Sequence, residues 1–294
     1  MATTTTQIGT NYYNTLTGGT ETVTLVENDA GAGTYNAGET PPSTTLVTNG
    51  GAGPTSGNQN GKLPFSPASL NPVLWLRADK GITLNGNGVS QWSDFSGNGN
   101  NVVQTNASQQ PTFNAADSNY NGQPSVSFLA SATQYLQSTS WPTTISPGNN
   151  NTPFTFIVVG NTTTNGATQT FVDFGISHAI LYSDFNAGLS ASFAITTMTV
   201  TTPTIMSATW SANVSTIYRN DPLSAIATAG ATGGGTGQIG IGAEGNGSGA
   251  FNISFLTGTI AEVLVIPGEL TYATRLQLFQ YLSARYNIAL PKPI

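Results

Sequence analysis

The sequence predicts an all-β protein: an antiparallel β-sandwich closed by one C-terminal helix and preceded by an extended N-terminal arm. Three observations carry this. From about residue 66 onward, short apolar or alternating segments recur at regular spacing between Gly-, Asn- and Pro-containing turns. Charged residues are only 7% of the chain, and Thr, Asn, Gly and Ser take their place on the surface. One segment alone has a convincing helical period, and it lies at the end of the chain.

Residues 1–65 are low in complexity, with Thr, Gly, Asn and Pro dominant, as in Gly50-Gly-Ala-Gly-Pro54. Thr20 to Glu27 alternates like a strand, placing Val23 and Leu25 on one face with Val26 beside them. Alone, this region has too little apolar surface for a core and is expected to be a mobile arm. Such a coil gains order by wrapping a large surface, so Val23, Leu25 and Val26 are expected to anchor it along neighbouring subunits.

Residues 66–294 form the second domain. Val73-Leu-Trp-Leu-Arg-Ala-Asp79 is a strongly apolar strand. Gly86-Asn-Gly88 turns into the alternating Val89-Ser-Gln-Trp92, and Asp94 to Asn100 is a loop of turn-forming side chains. Pro124–Leu129, Tyr135-Leu136, Phe154–Val159, Thr170–Phe174 and Ala179–Tyr182 follow as strands. Phe154–Val159 is nearly all apolar, as for a strand covered on both faces. Ile205–Trp210, Val214–Tyr218 and Leu223–Ile226 read as a meander, with Asn220-Asp-Pro222 at its second turn. Gln238–Gly242 and Phe251–Phe255 precede Gly258–Ile266, a buried strand ended by Pro267-Gly268. In the closing helix Leu278, Phe279, Leu282 and Tyr286 make one apolar stripe. Thr271 suits its start, Asn287 its left-handed end, and Pro291 bars continuation.

Composition excludes several functions. The net charge is −6 and the seven Lys and Arg are scattered, so no basic stripe follows a phosphate backbone and no nucleic-acid partner is expected. The absence of cysteine rules out disulfides, thiolate metal sites and a Cys nucleophile. Met1–Gln7 has neither the cationic nor the apolar region of a secretory signal, and no apolar run is long enough to span a membrane. Production in a host cytoplasm is the expectation.

Chemistry leaves few marks. Glycoside hydrolysis needs two carboxylates on one cleft, which on a strand show as acids two or four apart. From residue 66 the acids are Asp79, Asp94, Asp117, Asp173, Asp184, Asp221, Glu244, Glu262 and Glu269, and none lies within four of another. His178 is the single histidine; no nucleophile elbow accompanies it, and a strand-end His without a catalytic role explains it better. Gly240-Ile-Gly-Ala-Glu-Gly245 spells a dinucleotide fingerprint, but Gly-rich loop follows where a helix is required. Trp75, Trp92 and Trp210 sit in strand patterns and read as core, whereas Trp141, before Pro142 in a loop, is the candidate glycan platform.

Four stretches line up in one order: Leu74-Trp-Leu-Arg-Ala-Asp79; Trp92-Ser-Asp94 with Ser96-Gly-Asn-Gly-Asn100; the hairpin bearing Tyr218 and Asn220-Asp221; and Gly258-Thr-Ile-Ala-Glu262-Val-Leu-Val-Ile with the helix ending Tyr281-Leu-Ser-Ala-Arg-Tyr-Asn-Ile288. Over about residues 66–290 this resembles the laminin-G-like, concanavalin A-like jelly-roll superfamily, of the kind found in bacteriophage structural proteins and bacterial surface proteins. The resemblance implies two antiparallel sheets packed face to face. Its members bind glycans, proteins or calcium, or serve as structural modules, and a minority are glycosidases; Glu262 belongs to the family pattern. The family's calcium sites at loop ends make Asp94, Asn98 and Asn100 candidate metal ligands, against the alternative that they cap their own turns. No other cofactor is expected.

The expectation is a non-enzymatic virion structural protein of a tailed bacteriophage: a capsid decoration or cement protein on the virion surface, present in many copies as a homo-oligomer. The arm would clasp the major capsid protein and other virion proteins. The alternatives are a tail or fibre adhesin contacting host-surface glycans, and a carbohydrate-binding lectin of a bacterial surface.

Overall fold

The computed structural model describes the backbone of residues 3–8, 11–16, 21–24 and 45–48. It then describes residues 65–138, 153–163, 169–173, 179–182, 186–189, 192–195, 201–211, 214–230, 238–245 and 250–291. The chain divides into two compact units, Met1–Ser69 and Leu70–Ile294.

In the first unit, β1 (Thr3–Ile8) pairs antiparallel with β2 (Asn11–Leu16), and β3 (Glu21–Thr24) with β4 (Thr45–Thr48). Val23 of the expected anchor lies in β3 opposite Leu46; Leu25 and Val26 fall outside the described residues. Where the composition suggested unpaired coil, the described residues form two antiparallel pairs. β-branched Thr fits this, because it favours extended backbone whenever a partner strand is at hand.

The second unit opens with β5 (Leu74–Arg77), β6 (Ile82–Asn85), β7 (Gly88–Trp92), β8 (Val102–Val103), β9 (Thr112–Asn114), β10 (Ser125–Phe128) and β11 (Leu136–Ser138). Next come β12 (Phe154–Thr162), β13 (Thr170–Asp173), β14 (Ala179–Tyr182), β15 (Asn186–Leu189) and β16 (Ser192–Ile195). The meander β17 (Thr204–Ser211), β18 (Val214–Arg219) and β19 (Ala225–Gly230) leads to β20 (Gly240–Ile241), β21 (Glu244–Gly245), β22 (Phe251–Ile253) and β23 (Gly258–Pro267). Helix α1 (Tyr272–Tyr286) closes the unit.

The pairing makes a β-sandwich. One sheet runs β19-β18-β17-β12-β23, with β5 and β10 end to end along the far side of β23. The other runs β6-β7-β8-β11-β20-β13-β14-β15-β16, and β9 links β10 to β7 at the edge. Every strand pair among the described residues is antiparallel, as the resemblance implied.

Strand alternation decides what each face of the first sheet meets. Leu74, Leu76, Phe154, Phe156, Val158, Val263 and Val265 point into the core between the sheets. There they join Val89, Trp92, Val102, Leu136, Phe171, Val172 and Ile241 from the second. Their neighbours Trp75, Ile157, Glu262 and Leu264 are equally buried but belong to the opposite face. Helix α1 covers that face with Leu278, Phe279, Leu282 and Tyr286, all at 0–1% exposure. Each such side chain contributes about 1.5–3 kcal/mol on burial. Thus β12 and β23 are buried on both sides, which is why they read as unbroken apolar runs.

The helix ends as its sequence requires. Thr271 Oγ1 accepts the Thr274 N–H at 3.2 Å. Asn287 takes the left-handed conformation (φ 54, ψ 42), its N–H and that of Ile288 both reach Ser283 O, and Ile288 is buried.

Candidate functional site

Three places bear on function: the Asp94 loop, the carboxylates under α1, and the aromatic side chains near the surface.

The Asp94 loop is knotted onto the first strand. Asp94 Oδ1 accepts the backbone N–H of Trp75 and of Ser96, both at 2.9 Å. Its Oδ2 accepts the Ser96 hydroxyl at 2.8 Å and the Asn100 N–H at 2.9 Å. Asn98 donates its side-chain amide to Pro72 O at 3.0 Å, and Asn100 donates to Val73 O at 2.6 Å. Gly97 and Gly99 supply the positive φ values (88° and 76°) that coil the loop this tightly. The sequence-predicted trio is therefore gathered in one loop. Both Asp94 oxygens already receive protein donors, and what the arrangement does chemically is to fix the loop against β5. Among the described residues, no group of three or more His, Asp or Glu side chains is placed to hold a metal ion.

Two carboxylates 183 positions apart in sequence do meet in space. Glu262, at 0% exposure, lies across from Arg77 in the β5–β23 register. Trp75 Nε1–H donates to its Oε1 and the Tyr286 hydroxyl to its Oε2, each at 2.7 Å. The Arg285 guanidinium lies 3.8 Å from Glu262 Oε2 and 2.7 Å from Asp79 Oδ2. Arg77 binds Asp79 through Nε and Nη2 at 3.1 and 3.0 Å. Burial pushes Glu262 above the usual carboxylate range, although Arg285, Arg77 and its two hydrogen-bond donors pull the other way. Burial also acts to raise Asp79, but Arg77 and Arg285 outweigh it and hold that carboxyl below its ordinary value. Burial first, then the neighbouring Glu262 charge, keeps the Tyr286 phenol well above its normal range and so a donor. The helix is thereby pinned to the sheet by a buried polar network. Tyr120, set edge-on to Tyr286 at 6.0 Å, extends it to Asn161 and Thr259.

Three other acids are likewise taken up by protein donors. Asp117 accepts from Ser125 Oγ and from the Asn119 N–H, and Asp173, at 0% exposure, accepts the Gly245 N–H. Asp221 accepts the N–H groups of Leu223 and Ser224 in its turn.

Of the tryptophans, Trp75 and Trp92 are fully buried, as expected. Trp210 lies in β17. Trp141 and His178 fall outside the described residues. What the sequence did not single out is a cluster of Tyr135, Phe251 and Phe255. Tyr135 lies 6.3 Å from each of the other two rings, with Tyr135 and Phe255 only half-buried. The signal was present as aromatic residues in two short strand-like segments, but nothing in the sequence brings them together.

No family model and no curated protein matches the chain. Solved structures do. The binding domain of Paraclostridial mosquitocidal protein 1 is 11% identical at TM-score 0.50, covering 72% of this chain and 53% of its own. Trypanosoma rangeli sialidase with 2,3-difluorosialic acid is 13% identical at TM-score 0.44, covering 73% and 33%. The binding domain of botulinum neurotoxin DC, in complex with SialylT, is 12% identical at TM-score 0.42, covering 72% and 51%. The chain thus spans a third to about half the length of these structures. At such identities the likeness shows the fold alone, a sheet-rich β-sandwich.

Proposed function

We propose that the chain is a non-enzymatic recognition protein whose β-sandwich unit binds carbohydrate. The observation that carries this reading is how the carboxylates are used. Asp79 and Glu262, the two acids drawn onto one arginine, are tied to Arg77, Arg285, Trp75 and Tyr286, and Glu262 is sealed from solvent. A glycosidase pair must instead face a cleft that admits the sugar, with one member free to exchange protons. The fold shared with a toxin binding domain at TM-score 0.50 supports a binding role. The test is a glycan array with the full chain, run beside a hydrolysis assay on the same glycans. Saturable binding without turnover is expected. Turnover abolished by a single carboxylate substitution refutes the reading.

We propose a second, compatible reading, which the division into two units accommodates. In it the sandwich is displayed on a tailed-phage virion as a capsid decoration or cement protein, and Met1–Ser69 is the attachment unit. Deleting residues 1–60 then yields a folded sandwich that no longer joins the particle; retained incorporation refutes the attachment role.

A further inference from the structure

The cluster of Tyr135, Phe251 and Phe255 is built from two segments that hold each other in place. In the first, Leu129 N–H donates to Gln134 Oε1 at 2.9 Å, and Thr133 at φ 50 turns the chain back on itself. The second runs from Phe251 to Thr257, and the Ala130 N–H reaches Thr257 Oγ1 at 3.1 Å to join the two. Phe251 is buried at 3% exposure and supports the Tyr135 ring from within. Leu129 and Ile253 of the same segments are 47% and 43% exposed. The result is a preformed aromatic surface, with Leu129 and Ile253 on the segments that carry it, held by hydrogen bonds from backbone N–H groups to side-chain oxygens. The Tyr135 hydroxyl has no partner among the described residues.

The side-chain amides beside this surface are neutral, and Glu244, opposite Ile253 in the β21–β22 pair, is an acid. Gln104 donates to Tyr135 O, Gln109 to Thr133 Oγ1 and Gln134 to Gln110 O. Stretches 102–112, 129–137 and 250–261 hold no Asp, Glu, Lys or Arg. Three of the five described cations are committed to structure elsewhere: Arg77 and Arg285 bind Asp79, and Arg275 is buried against Pro222 O and Leu270 O. A carboxylated sugar needs a cation or a cluster of strong donors to replace its lost hydration. A neutral pyranose needs an aromatic face for its C–H surface and amide or hydroxyl groups for its own hydroxyls.

We infer that the Tyr135–Phe255 surface is a binding platform for neutral hydroxylated sugars, with no preference for sialylated or other acidic glycans. This rests on the recognition reading above, and the experiment separates the two. The full chain is screened on neutral glycans (glucans, mannans, galactans, chitooligosaccharides) and on sialylated ones. The strongest neutral binder is then titrated calorimetrically against Tyr135→Ala, Phe255→Ala and Leu129→Asp. The last variant places a charge at an exposed position, so folding is preserved and only the platform is altered. The expected result is binding to neutral glycans alone, weakened at least tenfold by Tyr135→Ala and by Leu129→Asp. Silence of the wild-type chain on every glycan overturns the recognition reading together with the platform. Binding that survives these variants, or that is confined to sialylated glycans, overturns the platform and leaves the recognition reading standing.

Discussion

Replacing Glu262 with alanine tests whether the buried network under α1 latches the sandwich. The carboxylate is at 0% exposure and accepts one hydrogen bond on each oxygen, from Trp75 and from Tyr286. Alanine leaves both donors buried without an acceptor, at about 1–3 kcal/mol each. Losing a buried ion partner outright costs about 3–5 kcal/mol, but Arg285 keeps Asp79 at 2.7 Å, so that full penalty does not apply. The two orphaned donors together give an expected destabilisation of about 2–6 kcal/mol. For a unit of this size, about 2–4 °C per kcal/mol turns that into a Tm drop of about 10 °C. Glu262→Gln keeps the volume and one acceptor oxygen, and should lose about half as much. A double-mutant cycle with Tyr286→Phe isolates the Tyr286–Glu262 bond, with a coupling of about 1.5–3 kcal/mol. Calorimetric unfolding of the four proteins measures all of this. A Glu262→Ala protein melting within about 1 °C of wild type refutes the latch.

Three further outcomes follow from the same geometry. Asp79 has a folded-state pKa below its unfolded value, so the unfolded chain binds more protons as pH falls. Its contribution, present above about pH 4, is lost as pH drops through the folded value. Glu262 acts with the opposite sign, its folded value being raised, so stability it supplies declines as pH rises above its unfolded value. Asp79→Asn should therefore flatten the acid limb of the stability curve, and an acid limb as steep as wild type counts against the Arg77–Asp79–Arg285 arrangement. At Gly258 an added Cβ would stand 2.1 Å from Asn161 O and 2.9 Å from Thr162 Cα, both backbone atoms across the β12–β23 pair. Gly258→Ala should cost about 1–3 kcal/mol by overpacking, read as a shift in the urea midpoint, and an unshifted midpoint refutes the close approach. Calcium titrated into the wild-type chain should leave Tm unchanged, since Asp94 already receives four protein donors. A calcium-dependent rise in Tm that disappears in Asp94→Ala would support the metal reading of Asp94, Asn98 and Asn100.

The sequence by itself determined the class of fold and the position of most elements in the second unit. Period-two alternation, apolar runs and turn residues are local properties, and they mark β7, β12, β17 and β23 without reference to anything distant. The closing helix was legible to its caps for the same reason: Thr271, Asn287 and Ile288 act within one turn of the chain. The first unit was less legible, because Thr-rich extended backbone looks alike whether paired or not, and only a partner strand such as β2 or β4 distinguishes them. The candidate sites depended on contacts that local pattern does not encode. The hydrogen bond from Trp75 N–H to Asp94 depends on the loop folding back onto β5, which no local pattern specifies. Asp79 and Glu262 are remote in sequence and meet because β5 pairs with β23 and α1 lays Arg285 over both. Tyr135 and Phe255 sit in separate segments of ordinary composition. They become one surface only through the backbone of 129–135 docking on 251–257, a long-range pairing that no local period can specify.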